Sequence, residues 1–169
     1  LATVHDDQRL RYPNNLDNAT APEARELIRK TLGAQPDGSV TLLQVGFFSN
    51  FAGLLDTPED RELIRRKVKL LCIMAGAFQS IPNHPHFLEY NVMTEIPAAR
   101  ALVKDWPTPI VWSGFEIGVA LPYPAVSVEH DFSWTPHHIV AEAYQLYEPL
   151  PHERPTWDVT AALYAVRPE

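Results

Sequence analysis

Residues 68–78 read "VKLLCIMAGAF", and the reading of this run decides the fold. From Leu70 to Phe78 no charge interrupts it, and polar and apolar residues do not alternate. A strand with one wet face alternates, whereas a strand covered on both faces reads as a continuous apolar run. Two more short runs of the same kind follow from looking outward. "SVTLLQVGFF" (39–48) predicts a buried strand over 40–45, and "TPIVWSG" (108–114) predicts a short one. Helical signals lie between and around them. "TPEDRELIRRK" (57–67) starts a helix at Thr57, with Pro58 and Glu59 in its first turn. "TAPE" (20–23) predicts Thr20 as an N-cap with Glu23 three residues on, a capping-box pattern. Ala24, Leu27, Ile28 and Leu32 then recur at helical spacing, and Gly33 ends the helix. "TEIPAARALVKDW" (94–106) predicts a helix capped near Thr94, and "PHHIVAEAYQLY" (136–147) and "TWDVTAALYAV" (156–166) predict two more. Residues 1–19 have no sustained period and read as an irregular lead-in.

The expected order is therefore α–β–α–β–loop–α–β–α–α. It predicts an α/β fold with a parallel sheet and helices on both faces, in one domain spanning 1–169. In such sheets, sites form at the carboxyl ends of strands. "GFFSN" (46–50), "AGAFQSIPN" (75–83) and "SGFE" (113–116) all fall there.

Composition narrows the functional classes. The 169 residues are 46% hydrophobic and 21% charged, with a net charge of −7, as for an ordinary globular chain. No basic stripe is present, which argues against a nucleic-acid partner. No apolar run reaches the roughly 18 residues of a membrane span. The compartment is open, with the cytoplasm favoured. The one cysteine, Cys72, lies inside the apolar run and reads as core filling.

The polar loop "SIPNHPHFLEYNV" (80–92) follows the central strand. Asn83, Glu89 and Asn91 are either solvated loop residues or hydrogen-bonding groups for sugar hydroxyls. His84 and His86 lack the further Cys or His partner that a metal site needs. His137 and His138 at a helix start read as capping or packing residues. Asp158 complements the dipole of the last helix or serves as a metal-binding carboxylate, with Trp157 offering a flat face to a ring. Ser49 and Asn50 are placed to cap a short helix. No P-loop, GxGxxG, GxSxG or HExxH pattern occurs.

Together these segments resemble the inosine–uridine-preferring nucleoside hydrolase family. "GFFSNFAGLL" (46–55) is similar to that family's G-P-L-T-N-[IL]-A segment, with Phe47, Phe48 and Ser49 replacing Pro, Leu and Thr. "CIMAGAF" (72–78) resembles its strand ending in M-G-G. "NHPHFLEYNVMTEIPAAR" (83–100) resembles N-x5-E-[FY]-N-x3-D-P-E-A-A, and "TWDVTAALYAV" resembles its late Asp-bearing helix. The resemblance implies a Rossmann-like fold that hydrolyses the N-glycosidic bond of ribonucleosides with a bound Ca²⁺. It implies that Asp158 and the backbone carbonyl of Ser49 are calcium ligands. Asn83, Glu89 and Asn91 would hold the ribose, and Met74 would pack against it. Trp157 resembles the purine-preferring branch, where the ring stacks on the base.

One family element has no counterpart here. The D-x-D-x-x-x-D-D motif, which the resemblance makes the main calcium ligand and general base, does not occur. The nearest acids, Asp6 and Asp7, read as a loop. The expectation is thus the C-terminal portion of a nucleoside hydrolase-like domain, its sheet incomplete at the N-terminus and lacking the catalytic carboxylate cluster. A missing N-terminal segment or a homo-oligomer would complete it. Whether the chain is itself an enzyme stays open, the alternatives being a non-catalytic nucleoside- or sugar-binding relative, an inactive fragment, or an α/β interaction domain with a merely solvated loop.

Overall fold

The computed structural model of the chain describes residues 4–15, 17 and 19–169. In chain order its elements are β1 (His5–Asp6), β2 (Arg9–Leu10), α1 (Ala24–Gly33), β3 (Val40–Gln44), α2 (Ser49–Ala52) and a 3₁₀ turn (Gly53–Leu55). Then come α3 (Pro58–Lys67), β4 (Val68–Met74), α4 (Tyr90–Thr94), α5 (Ile96–Asp105), β5 (Ile110–Ser113) and α6 (Phe115–Ala120). The last are β6 (Pro122–Tyr123), α7 (Ala125–His130), α8 (Ile139–Tyr147), β7 (Arg154–Pro155) and α9 (Trp157–Val166). They form two compact units: Pro22–Leu121 with Thr156–Glu169, and Leu1–Ala21 with Pro122–Pro155.

In the larger unit β3, β4 and β5 pair in parallel in that order, as the unalternated apolar runs predict. Leu43 lies beside Cys72 and Cys72 beside Val111, so these three share one face. The opposite face of β4 carries Leu71, Ile73 and Ala75. All three belong to a buried cluster with Leu32 of α1, Ile64 of α3, and Ala99 and Leu102 of α5. The Cys72–Met74 face meets α9. Ser113, beside Met74 in register, places its Oγ 2.7 Å from Thr160 Oγ1 on that helix. Helices therefore cover both faces. Gln44, beside Ile73 on the cluster face, is the exception there: it is buried, and neither amide atom has a partner.

The helix starts show where local sequence speaks clearly. Thr57 accepts from the Asp60 N–H at 3.2 Å, with Pro58 opening α3, as expected. Thr20 does not cap α1. The Glu23 carboxylate accepts from the Glu26 N–H at 2.9 Å, while the Thr20 hydroxyl donates to Asp17. Glu23 sits in extended backbone beyond Pro22, and from there its longer side chain reaches the free amides of the first turn. Thr94 is likewise not a cap. Its hydroxyl donates to the Tyr90 carbonyl at 2.7 Å inside α4, the chain bends at Glu95, and Pro97 opens a separate α5. The helices α2, α6 and α7 have four to six residues, too few to show a period in sequence.

In the smaller unit β1 and β2 pair across Asp7 and Gln8, whose φ of 46° and 70° makes a two-residue hairpin turn. The expected irregular lead-in thus contains a hairpin over 5–10, with Asp6 and Asp7 in its first strand and turn, while residues 11–15, 17 and 19 form no helix or strand, as expected. The part of that lead-in at residues 1–3, 16 and 18 lies outside the described residues. Arg11 ties this hairpin to α8 by ion pairs with Asp6 at 2.6 Å and Glu142 at 2.9 Å. Beside β7, the Arg154 guanidinium lies 3.7 Å above the Tyr147 ring. Among the described residues no helix is long and apolar enough to cross a membrane.

Candidate functional site

The site is built from the carboxyl end of β4. Past Met74 and Ala75 the chain turns at Gly76, whose φ of +77° favours a residue without a Cβ. The Gly76 N–H donates to the Glu89 carboxylate at 2.9 Å. The same carboxylate caps α4, accepting from Asn91 N–H at 2.8 Å and Val92 N–H at 3.1 Å. Glu89 is only 6% exposed, so these bonds offset the cost of burying its charge. Asn91 donates from Nδ2 to the Met74 carbonyl at 3.1 Å, with the Met74 sulfur at 3.5 Å. Met74, Glu89 and Asn91 therefore converge at one strand end. The Asn91 side-chain oxygen and one further lone pair on Glu89 Oε1 remain as acceptors.

Asp158 joins them from α9. It is exposed, yet the desolvation it does undergo and, second, the Glu89 charge hold its carboxyl above the usual carboxylate range. Among the described residues no ion pair joins a cation to Asp158 or Glu89. Trp157, the preceding residue, donates from its indole N–H to the Phe115 carbonyl at 3.1 Å and stacks on the Phe115 ring at 5.4 Å. A Cβ on Gly118 would lie 2.2 Å from the Trp157 ring and 2.6 Å from its Cα. That glycine is what lets α6 and the start of α9 touch.

Ser49 opens α2 just beyond β3. Its N–H donates to the Glu95 carboxylate at 2.7 Å, and its carbonyl accepts from Gly53 within the helix turn. Asn83 is placed differently. It is exposed, with φ 64°, in the turn that the His84 N–H closes onto the Ile81 carbonyl at 3.0 Å. Pro followed by a left-handed Asn is the pattern of a type II turn, which accounts for this residue locally. Among the described residues no hydrogen bond joins Asn83 to Glu89, Asn91 or Asp158. His84 and His86 are exposed on the same turn. His138 caps α8 through Nδ1 at 3.3 Å from Val140 N–H, and His137 pairs with Glu142 at 2.8 Å. Cys72 is buried, and burial pushes its thiol up.

Two acids that the sequence reading passed over hold this region together. Glu95 anchors Ser49, and Glu116 accepts from the Phe78 N–H at 3.2 Å, fixing the chain beyond Gly76. Their signal was position. Both stand beside the strand-end segments, Glu116 in "SGFE" and Glu95 after "NVMT". The adjacent Asp158 and Glu89 charges suit a cation. Calcium takes roughly six to eight oxygens, and one free carboxylate, a Glu89 already bonded to backbone and one carbonyl do not supply them. Among the described residues no group of three or more His, Cys, Asp or Glu is arranged to hold a metal.

The family model described as inosine-uridine preferring nucleoside hydrolase matches residues 2–169. Among solved structures, the chain is similar to an inosine-uridine preferring nucleoside hydrolase from Bacillus anthracis. They share 22% identity at a TM-score of 0.66, over 88% of this chain and 49% of that one. It is also similar to an inosine-guanosine nucleoside hydrolase, at 20% identity and a TM-score of 0.66, over 87% of this chain and 48% of the other. The chain thus spans about half the length of these solved relatives, and the likeness to them is one of fold. No curated protein matches.

Proposed function

This chain belongs to the inosine-uridine preferring nucleoside hydrolase family, and from that premise we propose that its strand-end site serves hydrolysis of the N-glycosidic bond of ribonucleosides, releasing ribose and free base. The observation that carries this reading is the convergence of Glu89, Asn91 and Met74 at the end of β4, against which α9, the helix that bears Asp158, packs. Asn91 Oδ1 and Glu89 Oε1 accept from ribose hydroxyls, and the Met74 side chain packs beneath the sugar. Cleavage develops positive, oxocarbenium-like charge on the ribosyl ring, and the negative charge of Asp158 and Glu89, which no cation neutralises among the described residues, stabilises such charge. Trp157 is the aromatic surface proposed for the base, and Asn83 closes over the sugar from its turn. Asp158 and the Ser49 carbonyl are the oxygens this chain would offer to calcium. They do not by themselves complete its shell.

A second reading is a relative that binds a nucleoside or sugar without turnover. Glu89 favours it, since its carboxylate is tied up by three backbone N–H groups and is poorly placed to act as a base. Calorimetry with inosine and with ribose, followed by chromatography for free base in the presence of calcium, tests both. Saturable binding that Asn91→Ala weakens about tenfold, or about 1.4 kcal/mol, is expected of either. Released hypoxanthine selects the hydrolase, and its absence despite binding selects the second reading. Absence of binding overturns both.

A further inference from the structure

Between α5 and the segment 76–88 lies a cavity of about 690 Å³, in the size range of ligand pockets. Its walls include Phe48, Phe78, Phe87 and Trp112. The Phe78 ring meets Trp112 edge-on at 6.1 Å, and Phe48 stacks on the same indole at 6.4 Å. Phe78 is nonetheless 63% exposed, a large aromatic left facing the open space. Flat rings meeting at edges and faces make a slot suited to another flat ring.

Charge identifies the rest of the occupant. Arg100 and Lys104 also line the cavity, four residues apart on α5 and so on one helix face. Both are exposed, and among the described residues neither is ion-paired. What sets these two cations apart is their place, side by side on one helix face at the rim of an aromatic cavity. The one acid lining the cavity, Glu89, turns its carboxylate to the backbone N–H groups of Gly76, Asn91 and Val92, away from either cation. A guanidinium pairs with a carboxylate through two parallel bonds, and an ammonium adds a point charge.

We propose that this cavity binds a small planar aromatic carboxylate, its ring among Phe78, Trp112 and Phe87 and its carboxylate at Arg100 and Lys104. Glu89 borders this cavity as well as the proposed ribose site, but the proposed nucleoside chemistry uses none of Phe78, Phe87, Trp112, Arg100 or Lys104.

The test is calorimetry on the 169-residue protein with 2-naphthoate, and with 2-naphthalenemethanol as its neutral counterpart. We expect saturable 2-naphthoate binding at sub-millimolar concentration, about tenfold tighter than the alcohol. The double variant Arg100→Gln/Lys104→Gln removes that difference and leaves alcohol binding unchanged. Phe78→Ala weakens acid and alcohol alike. All three positions are exposed, so the variants keep the wild-type circular dichroism. Equal affinity for acid and alcohol, an unchanged double variant, or no saturation up to about 1 mM overturns the proposal.

Discussion

Asp60 and Asp158 occupy equivalent places in sequence. Each is an acid in the first turn of a ten-residue helix, α3 and α9, where the helix dipole favours it. Their surroundings are opposite. Arg29 Nε, from α1, reaches both Asp60 oxygens at 2.8 and 2.9 Å. That bond, chiefly, holds the Asp60 carboxyl below the usual range. Asp158 has no such cation. Burial and the Glu89 charge push it the other way. One local pattern therefore yields a stabilising ion pair at one place and a stored electrostatic cost at another. A cost of that kind, at a strand end, is where binding sites are built.

The largest change expected to break this contrast is Gly118→Ala. The added methyl overlaps the Trp157 ring and backbone, so α9 must shift and carry Asp158 with it. We expect a loss of about 3 kcal/mol in urea denaturation, together with the loss of any nucleoside binding.

Asp60→Ala comes next. Arg29 keeps about a third of its side chain in solvent, which screens the pair, so we expect a loss of about 1–2 kcal/mol at neutral pH. The pH dependence fixes the sign. The folded pKa lies below the unfolded 3.8, so the pair's stabilisation is present above 3.8 and is lost as pH falls through the folded value. Melts of the Asp60→Ala protein therefore converge on wild type in strong acid.

Asp158→Asn should show the smallest effect and the opposite sign. Here the folded pKa lies above 3.8, so stability is fullest below 3.8 and is lost as pH rises through the folded value. The neutral amide escapes that loss, and the variant melts slightly above wild type at pH 7 but not at pH 3.5. A variant that melts lower at pH 7 would show that Asp158 is compensated after all.

Much of the site was readable because its parts are close in sequence. Glu89 precedes Asn91 by two residues, so the carboxylate that caps α4 and the amide that reaches Met74 come from one short segment. The apolar run through Cys72 named its own strand, and Thr57 named its own helix start. Thr20 and Thr94 misled because hydroxyls bond locally in several ways, and competing partners at Asp17 and Tyr90 won. Asn83 shares a segment with Glu89, but its left-handed φ in an exposed turn is a tertiary detail that spacing does not show.

By itself, then, the sequence determined the parallel strands, most helices and the segment that ends β4, since each depends on burial pattern, caps and turns within a few residues. Only the tertiary structure decided the charges. Arg29 comes to Asp60 and Glu89 comes to Asp158 from distant segments. The sign of a carboxylate's shift depends on which charge arrives, and no local pattern encodes that arrival.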